Sequence, residues 1–151
     1  MLRHLSIRDF VIVAALDLEF ERGFTVFSGE TGAGKSILID ALALTLGARA
    51  DASIVRTGEA RADITAEFST HAGVSRWLDE HALAVGDADT VMQRRVVDSS
   101  GRSRAFINGT PATLVQLREL SEMLVDIHGQ HAHQLLMRPD AQRELDRKSV
   151  V

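Results

Sequence analysis

The chain has 151 residues, enough for one domain whose core hides roughly two-thirds of the unfolded surface. A composition of 45% hydrophobic and 25% charged residues, with two prolines, excludes a disordered or fibrous chain, and the lack of cysteine excludes disulfides and thiolate zinc sites. The formal net charge of −4 means that any contact with nucleic acid must come from a local basic patch.

From Leu2 to Ser28 the pattern predicts three short strands: His4 to Val13, Ala15 to Phe20, and Phe24 to Ser28, with Glu21-Arg22-Gly23 turning between the last two. Leu16, Leu18 and Phe20 alternate with Asp17 and Glu19, giving one buried and one wet face, as on an antiparallel edge that leads into a central strand. The opening MLRHLSIRDF lacks the apolar core of a signal peptide, and no apolar run reaches the roughly 20 residues a bilayer span needs. A cytoplasmic protein with no membrane partner is expected.

Ser36 to Leu46 predicts a helix with apolar residues around nearly its whole circumference, hence buried, with Gly47 as its stop. Ile64, Ala66 and Phe68 alternate with Asp63, Thr65 and Glu67 as a half-buried strand. A short helix from Val74 to Leu83 follows, its Trp77, Leu78 and His81 at the spacing of a packed core face. Val91 to Val97 and Arg102 to Ile107 flank Asp98-Ser99-Ser100-Gly101, the signal of a hairpin with a four-residue loop. After Asn108-Gly109, Thr113 and Gln116 form a capping box for a helix with the stripe Leu114, Leu117 and Leu120. Met123 to Ile127 then predicts a short buried strand entering His128-Gly129-Gln130-His131. The charged, helix-favouring residues from Asp140 onward suggest a lobe over residues 1–139, with 140–151 beginning a coiled-coil helix or simply ending the chain.

The strongest chemical signal is Gly29-Glu30-Thr31-Gly32-Ala33-Gly34-Lys35-Ser36, which matches G-x-x-x-x-G-K-[ST] and adds a glycine at 32. A strand ending at Ser28 and a helix beginning near Lys35 give it the setting that phosphate binding requires, against which a chance glycine-rich turn is the bland alternative. Glycines let backbone N–H groups up to Ile37 converge on one anion, and the helix N-terminus adds partial positive charge. Lys35 is suited to bridge the β- and γ-phosphates of ATP, and Ser36 to give a hydroxyl to Mg²⁺. Hydrolysis needs a further carboxylate at the end of a second strand; Asp126 is the local candidate, but its short apolar lead and the lack of a following Glu favour a structural role.

Two weaker patterns accompany the loop. Arg94, Arg95, Arg102 and Arg104 face a single acid, Asp98, in the hairpin segment, a charge excess suited to DNA phosphates. Adjacent Arg94 and Arg95 must point to opposite sides of a strand, so a solvated hairpin face is an equal alternative. His128, His131 and His133 have no acidic or sulfur ligand nearby in the chain and fit polar loop residues better than a metal cluster.

Taken together, HLSIRDFVIV, GETGAGKS, SILIDALALTLGARAD and LVDIHGQHAHQLL resemble the ATPase heads of DNA-repair proteins of the structural-maintenance-of-chromosomes (SMC) type, over essentially the whole span to Arg147. The resemblance implies an α/β, ABC-type fold: a P-loop N-terminal lobe with a mixed central sheet, joined to an antiparallel β-subdomain. It further implies that Gln130 is the Q-loop glutamine, which contacts Mg²⁺ and senses the γ-phosphate, and that Arg8 lies beside base and ribose. The signature motif, the Walker B carboxylates and the switch histidine belong to a C-terminal lobe beyond a coiled coil. A second head then closes over the phosphate loop as an ATP-bound homodimer. The implied function is an ATP-gated head in recombinational repair of DNA double-strand breaks at the bacterial nucleoid, with negligible turnover by this chain alone. Two other readings stay open: a stand-alone P-loop NTPase or kinase, although no lid or Asn-Lys-x-Asp motif is present, and a non-catalytic DNA-tethering module.

Overall fold

The computed structural model describes residues 1–21 and 32–124, with side chains in the second stretch from Gly34. The strand expected over Phe24 to Ser28, Asp126, the tract from His128 to His133 and the segment from Asp140 lie outside the described residues.

Strand β1 (Leu2–Phe10) turns into β2 (Val13–Glu19), and the antiparallel register sets Leu5 opposite Leu18 and Ile7 opposite Leu16. On its other side β1 pairs with β3 (Arg61–Ser69), where Ala62, Ile64, Ala66 and Phe68 are all buried and the residues between them are not. This is the period of two that a sheet with one wet face imposes on its sequence. β4 (Thr90–Asp98), β5 (Ser103–Ile107) and β6 (Thr110–Ala112) complete an antiparallel sheet in the order β2-β1-β3-β4-β5-β6.

The first strand stops at Phe10, short of the expected Val13, because Asp9 and Val11 take φ of 51° and 53° and reverse the chain early. The Val11 N–H is then held by Ile54 O at 2.8 Å, and Phe10 bridges to Val55. A β-branched residue in the left-handed region is strained, so this corner is fixed by its surroundings rather than by local preference. Strand β6 was not expected at all. It follows from Asn108-Gly109, where φ of 50° and 80° form the two-residue turn whose twist matches paired strands. Asn108 Oδ1 also accepts from Met92 N, and its Nδ2 donates to Leu83 O.

Three helices meet the inner face of the sheet. Ala41 and Leu44 of α1 (Gly32–Thr45), Val74 and Leu78 of α2 (Ala72–Glu80), and Leu117 and Leu120 of α3 (Leu114–Leu124) share one buried cluster with Leu5, Ile7, Ile64, Ala66, Val91 and Ile107. Helix α2 ends before Leu83, and the His81 ring, just past it, stacks on Trp77. The capping box is present: Thr113 Oγ1 accepts from Gln116 N and Gln116 Oε1 accepts from Thr113 N, both at 3.0 Å.

Two expectations are corrected. Met123 and Leu124 close α3 instead of opening a strand, because Leu117, Ser121 and Leu124 continue the buried stripe at helical spacing. Helix α1 is buried only along its C-terminal half: Ala41 and residues 44–46 are covered, whereas Gly34, Lys35, Ser36, Ile39 and Asp40 are exposed. An apolar circumference therefore does not translate into burial near the start of this helix. No helix among the described residues is long and apolar enough to cross a membrane.

The outer face of the sheet carries a row of ion pairs. Arg8 donates to Asp17 Oδ2 at 2.7 Å, and Arg94 donates to both Asp63 oxygens at 2.9 and 2.6 Å while lying over the Phe106 ring. Hydrogen bonding to Arg8 holds the Asp17 carboxyl below the usual carboxylate range.

Candidate nucleotide-binding site

The phosphate-loop motif runs into the N-terminus of α1. Gly29, Glu30 and Thr31 lie outside the described residues; Gly32 and Ala33 open the helix, about a turn before the expected start near Lys35. Gly34, Lys35 and Ser36 are exposed in its first turns and Ile37 is half-buried. Among the described residues, a Cβ on Gly34 would meet nothing within 4 Å. The first four N–H groups of a helix have no carbonyl partner of their own, and here they belong to Gly32 through Lys35. Unpaired amides at the positive end of a helix, with an ammonium group and a hydroxyl alongside, suit a triphosphate. The Ser36 hydroxyl is a hard oxygen donor, so the residues present fit Mg²⁺. One turn on, neighbouring atoms desolvate the Asp40 carboxyl and hold it above the ordinary carboxylate range, although the residue as a whole is exposed.

The other end of α1 is closed with unusual care. Gly47 at φ 105° ends the helix in a Schellman arrangement, in which the Ala48 N–H reaches Ala43 O at 3.0 Å and the Gly47 N–H reaches Leu44 O at 3.2 Å. Arg95 of β4, fully buried, donates from Nη1 to Leu44 O at 2.9 Å and Ala48 O at 2.8 Å, and from Nε and Nη2 to Ser103 Oγ at 3.1 and 2.7 Å. Arg118 of α3 donates to Gly47 O at 2.9 Å. Burial, and secondarily the nearby Arg118 charge, push the Arg95 guanidinium down to about 10, which leaves it charged at neutral pH.

These positions revise the expected DNA patch. Arg95 shares the inward face of β4 with Val91, Gln93 and Val97, so it cannot meet an external phosphate. Arg94 faces outward but is committed to Asp63 and Phe106. Arg104 remains exposed, as does Arg102, whose side chain is 86% exposed and 3.4 Å from Asp98. Exposed Arg61, opposite Asp98 in the register, joins them; the alternation through Asp63 already put it on the wet face, although the sequence reading passed over it. Arg8 alternates with buried Ile7, so it lies on the face opposite α1, paired with Asp17, and is not brought to the phosphate end of that helix. Gln130, His128, His131 and His133 lie outside the described residues.

Comparison with known proteins bears on the same residues. A family model described as an AAA domain matches residues 4–148. The chain belongs to the AAA domain family. This AAA domain is 51% identical over 144 residues to DNA repair protein RecN of Vibrio cholerae serotype O1, covering 94% of the chain and 26% of that protein. To DNA repair protein RecN of Bacillus subtilis strain 168 it is 44% identical over 147 residues, covering 96% of the chain and 25% of that protein. The chain thus spans about a quarter of the length of the curated relatives it matches. Its fold is similar to a structure from work on ATP-driven dimerization and DNA stimulated activation of SMC ATPases, with a TM-score of 0.63, 22% identity and 97% of both chains covered. The recombination mediator protein RecF-ATPrS aligns with a TM-score of 0.61 and 17% identity over 78% of this chain and 29% of that one. The fold is thus similar to those of SMC ATPases and RecF, and the sequence is similar to about a quarter of RecN.

Proposed function

We propose that the AAA domain is the ATP-binding lobe of an SMC-like ATPase in DNA double-strand-break repair, and that ATP bound at the N-terminus of α1 drives two heads together. The observation that carries this reading is the motif Gly29 to Ser36 opening α1, with Lys35 and Ser36 exposed in its first turns. The relatives named as DNA repair proteins support the process, and the structural relatives named for ATP-driven dimerization and for bound ATPrS support ligand and output. In this reading Lys35 holds the β- and γ-phosphates, while Ser36 and Gln130 take Mg²⁺. Residues 1–139 form the lobe and 140–151 lead toward the coiled coil. Hydrolysis belongs to the complete head, because the carboxylates and signature motif come from a C-terminal lobe and a second copy. The location follows from the substrate, DNA in the bacterial cytoplasm.

The test is ATP binding by the full-length protein. Lys35→Ala removes a charge-assisted contact of about 1.5–3 kcal/mol and is expected to weaken ATP affinity roughly 10- to 150-fold with the melting temperature unchanged. Affinity equal to that of the parent would overturn the reading.

For DNA, the arginines that the fold leaves exposed, Arg61, Arg102 and Arg104, replace the set inferred from sequence. Changing all three to glutamine should reduce the slope of log affinity against log salt by about 2–3, one unit per lost phosphate contact. An unchanged slope would move the DNA contact elsewhere.

A further inference from the structure

Helix α1 carries the nucleotide motif at one end and two guanidinium groups at the other. The Gly47 cap already closes the helix in the ordinary way, with the Gly47 and Ala48 N–H groups occupying Leu44 O and Ala43 O. Arg95 and Arg118 come in addition, from β4 and α3, and supply donors to Leu44 O, Gly47 O and Ala48 O. Among the described residues neither arginine forms an ion pair with a carboxylate, although Arg95 is fully buried. The negative end of the α1 dipole is the counter-charge in reach. A buried guanidinium is costly, and apolar side chains of similar volume commonly serve stability as well or better. What the two arginines add over apolar packing is directional: rigid forks on two different elements fix where the end of α1 sits.

We infer that Arg95 and Arg118 are positioning residues for the nucleotide site, clamping the C-terminus of α1 so that its first-turn amides, Lys35 and Ser36 are held in place for phosphate. The inference rests on the nucleotide reading above. The two ends lie about 14 Å apart from Lys35 to Leu44, at 1.5 Å per residue. Dipole effects fade within one turn, so the coupling is mechanical: α1 moves as a rod, and a shift allowed at one end appears at the other. Arg95 ties the rod to β5 through Ser103, and Arg118 ties it to α3. Gly47 takes part as well, because a Cβ there would lie 2.5 Å from Arg118 Cγ, so the close approach of Arg118 requires glycine.

The experiment uses the full-length protein with ATP as the probe. Arg118→Met, Arg118→Lys and Arg95→Lys are compared with the parent and with Lys35→Ala, by calorimetric ATP titration well below each melting temperature and by thermal melts. Arg118→Met is expected to fold and to bind ATP roughly 3- to 30-fold more weakly, while Arg118→Lys, which keeps a donor for Gly47 O, recovers most of the loss. Should Arg95→Lys fail to fold, the half-buried Arg118 carries the test. Arginine variants that are folded and bind ATP like the parent, while Lys35→Ala does not, would reduce the pair to plain helix caps and overturn the inference. Parent-like binding by Lys35→Ala itself would remove the nucleotide reading, and the clamp with it.

Discussion

Replacing Arg95 with methionine is expected to lower the stability of the protein by about 3 kcal/mol, read as a fall of roughly 6–12 °C in melting temperature. Two effects compete. Methionine removes the cost of keeping a guanidinium dry, and that favours the variant. Against this, Leu44 O and Ala48 O each lose a bond from a charged donor, at about 1.5–3 kcal/mol apiece, and a backbone carbonyl cannot be mutated to match. The Gly47 N–H still serves Leu44 O, and Ser103, exposed as a residue, can turn its hydroxyl to water, so the loss is not the full sum. The variant is therefore less stable than the parent. The pH dependence follows from the sign of the shift. A base whose pKa is lower folded than unfolded costs stability wherever it is charged, and for Arg95 that cost is relieved only as pH rises through about 10. Across the neutral range the difference between parent and variant should be flat. Denaturant titration checks both points, and a variant as stable as the parent would mean that the carbonyls find other donors.

Much of the sheet was legible because one wet face forces strict alternation, and β3, with Ile64, Ala66 and Phe68 inward, shows it plainly. The same alternation sets Arg95 in line with Val91 and Val97, yet its charge put it in the expected basic patch, because nothing nearby in the chain tells that the end of α1 lies against it. That is tertiary information, and no local pattern carries it. Arg118 is a stronger case: its partner Gly47 lies 71 positions away, and on a helix surface it looks like any solvated arginine. Strand β6 was different, since the Asn108-Gly109 signal was in the sequence and only the brevity of Thr110–Ala112, with Pro111 on an edge, disguised what followed. The motif Gly29 to Ser36 stands out in the sequence because the spacing of its glycines, Lys35 and Ser36 is a local pattern. The expectation for Arg8 came from resemblance rather than from a local pattern, and no local pattern announces its pairing with Asp17 on the outer face of the sheet.

Leu117 and Arg118 are neighbours on α3 with opposite tasks, and that contrast yields the second large prediction. Leu117 is fully buried against the sheet, and its carbonyl accepts from buried Gln93 Nε2 at 3.0 Å, so truncation leaves a cavity that the anchored helix cannot close. Leu117→Ala is expected to cost about 2–5 kcal/mol in a denaturant titration. Its packing holds α3 to the sheet within the core cluster it shares with Leu44 and Leu46, but its side chain supplies none of the hydrogen bonds at the α1 cap. At temperatures where the variant stays folded, its affinity for ATP should therefore match the parent's within about twofold, since the donors that fix the end of α1 are all kept. Arg118→Met should show the reverse, a small stability change with a clear loss of affinity. If both substitutions lower affinity in proportion to stability, nucleotide binding follows the general integrity of the core; if they separate, the residues that hold the fold together and those that aim the phosphate loop are distinct even one position apart.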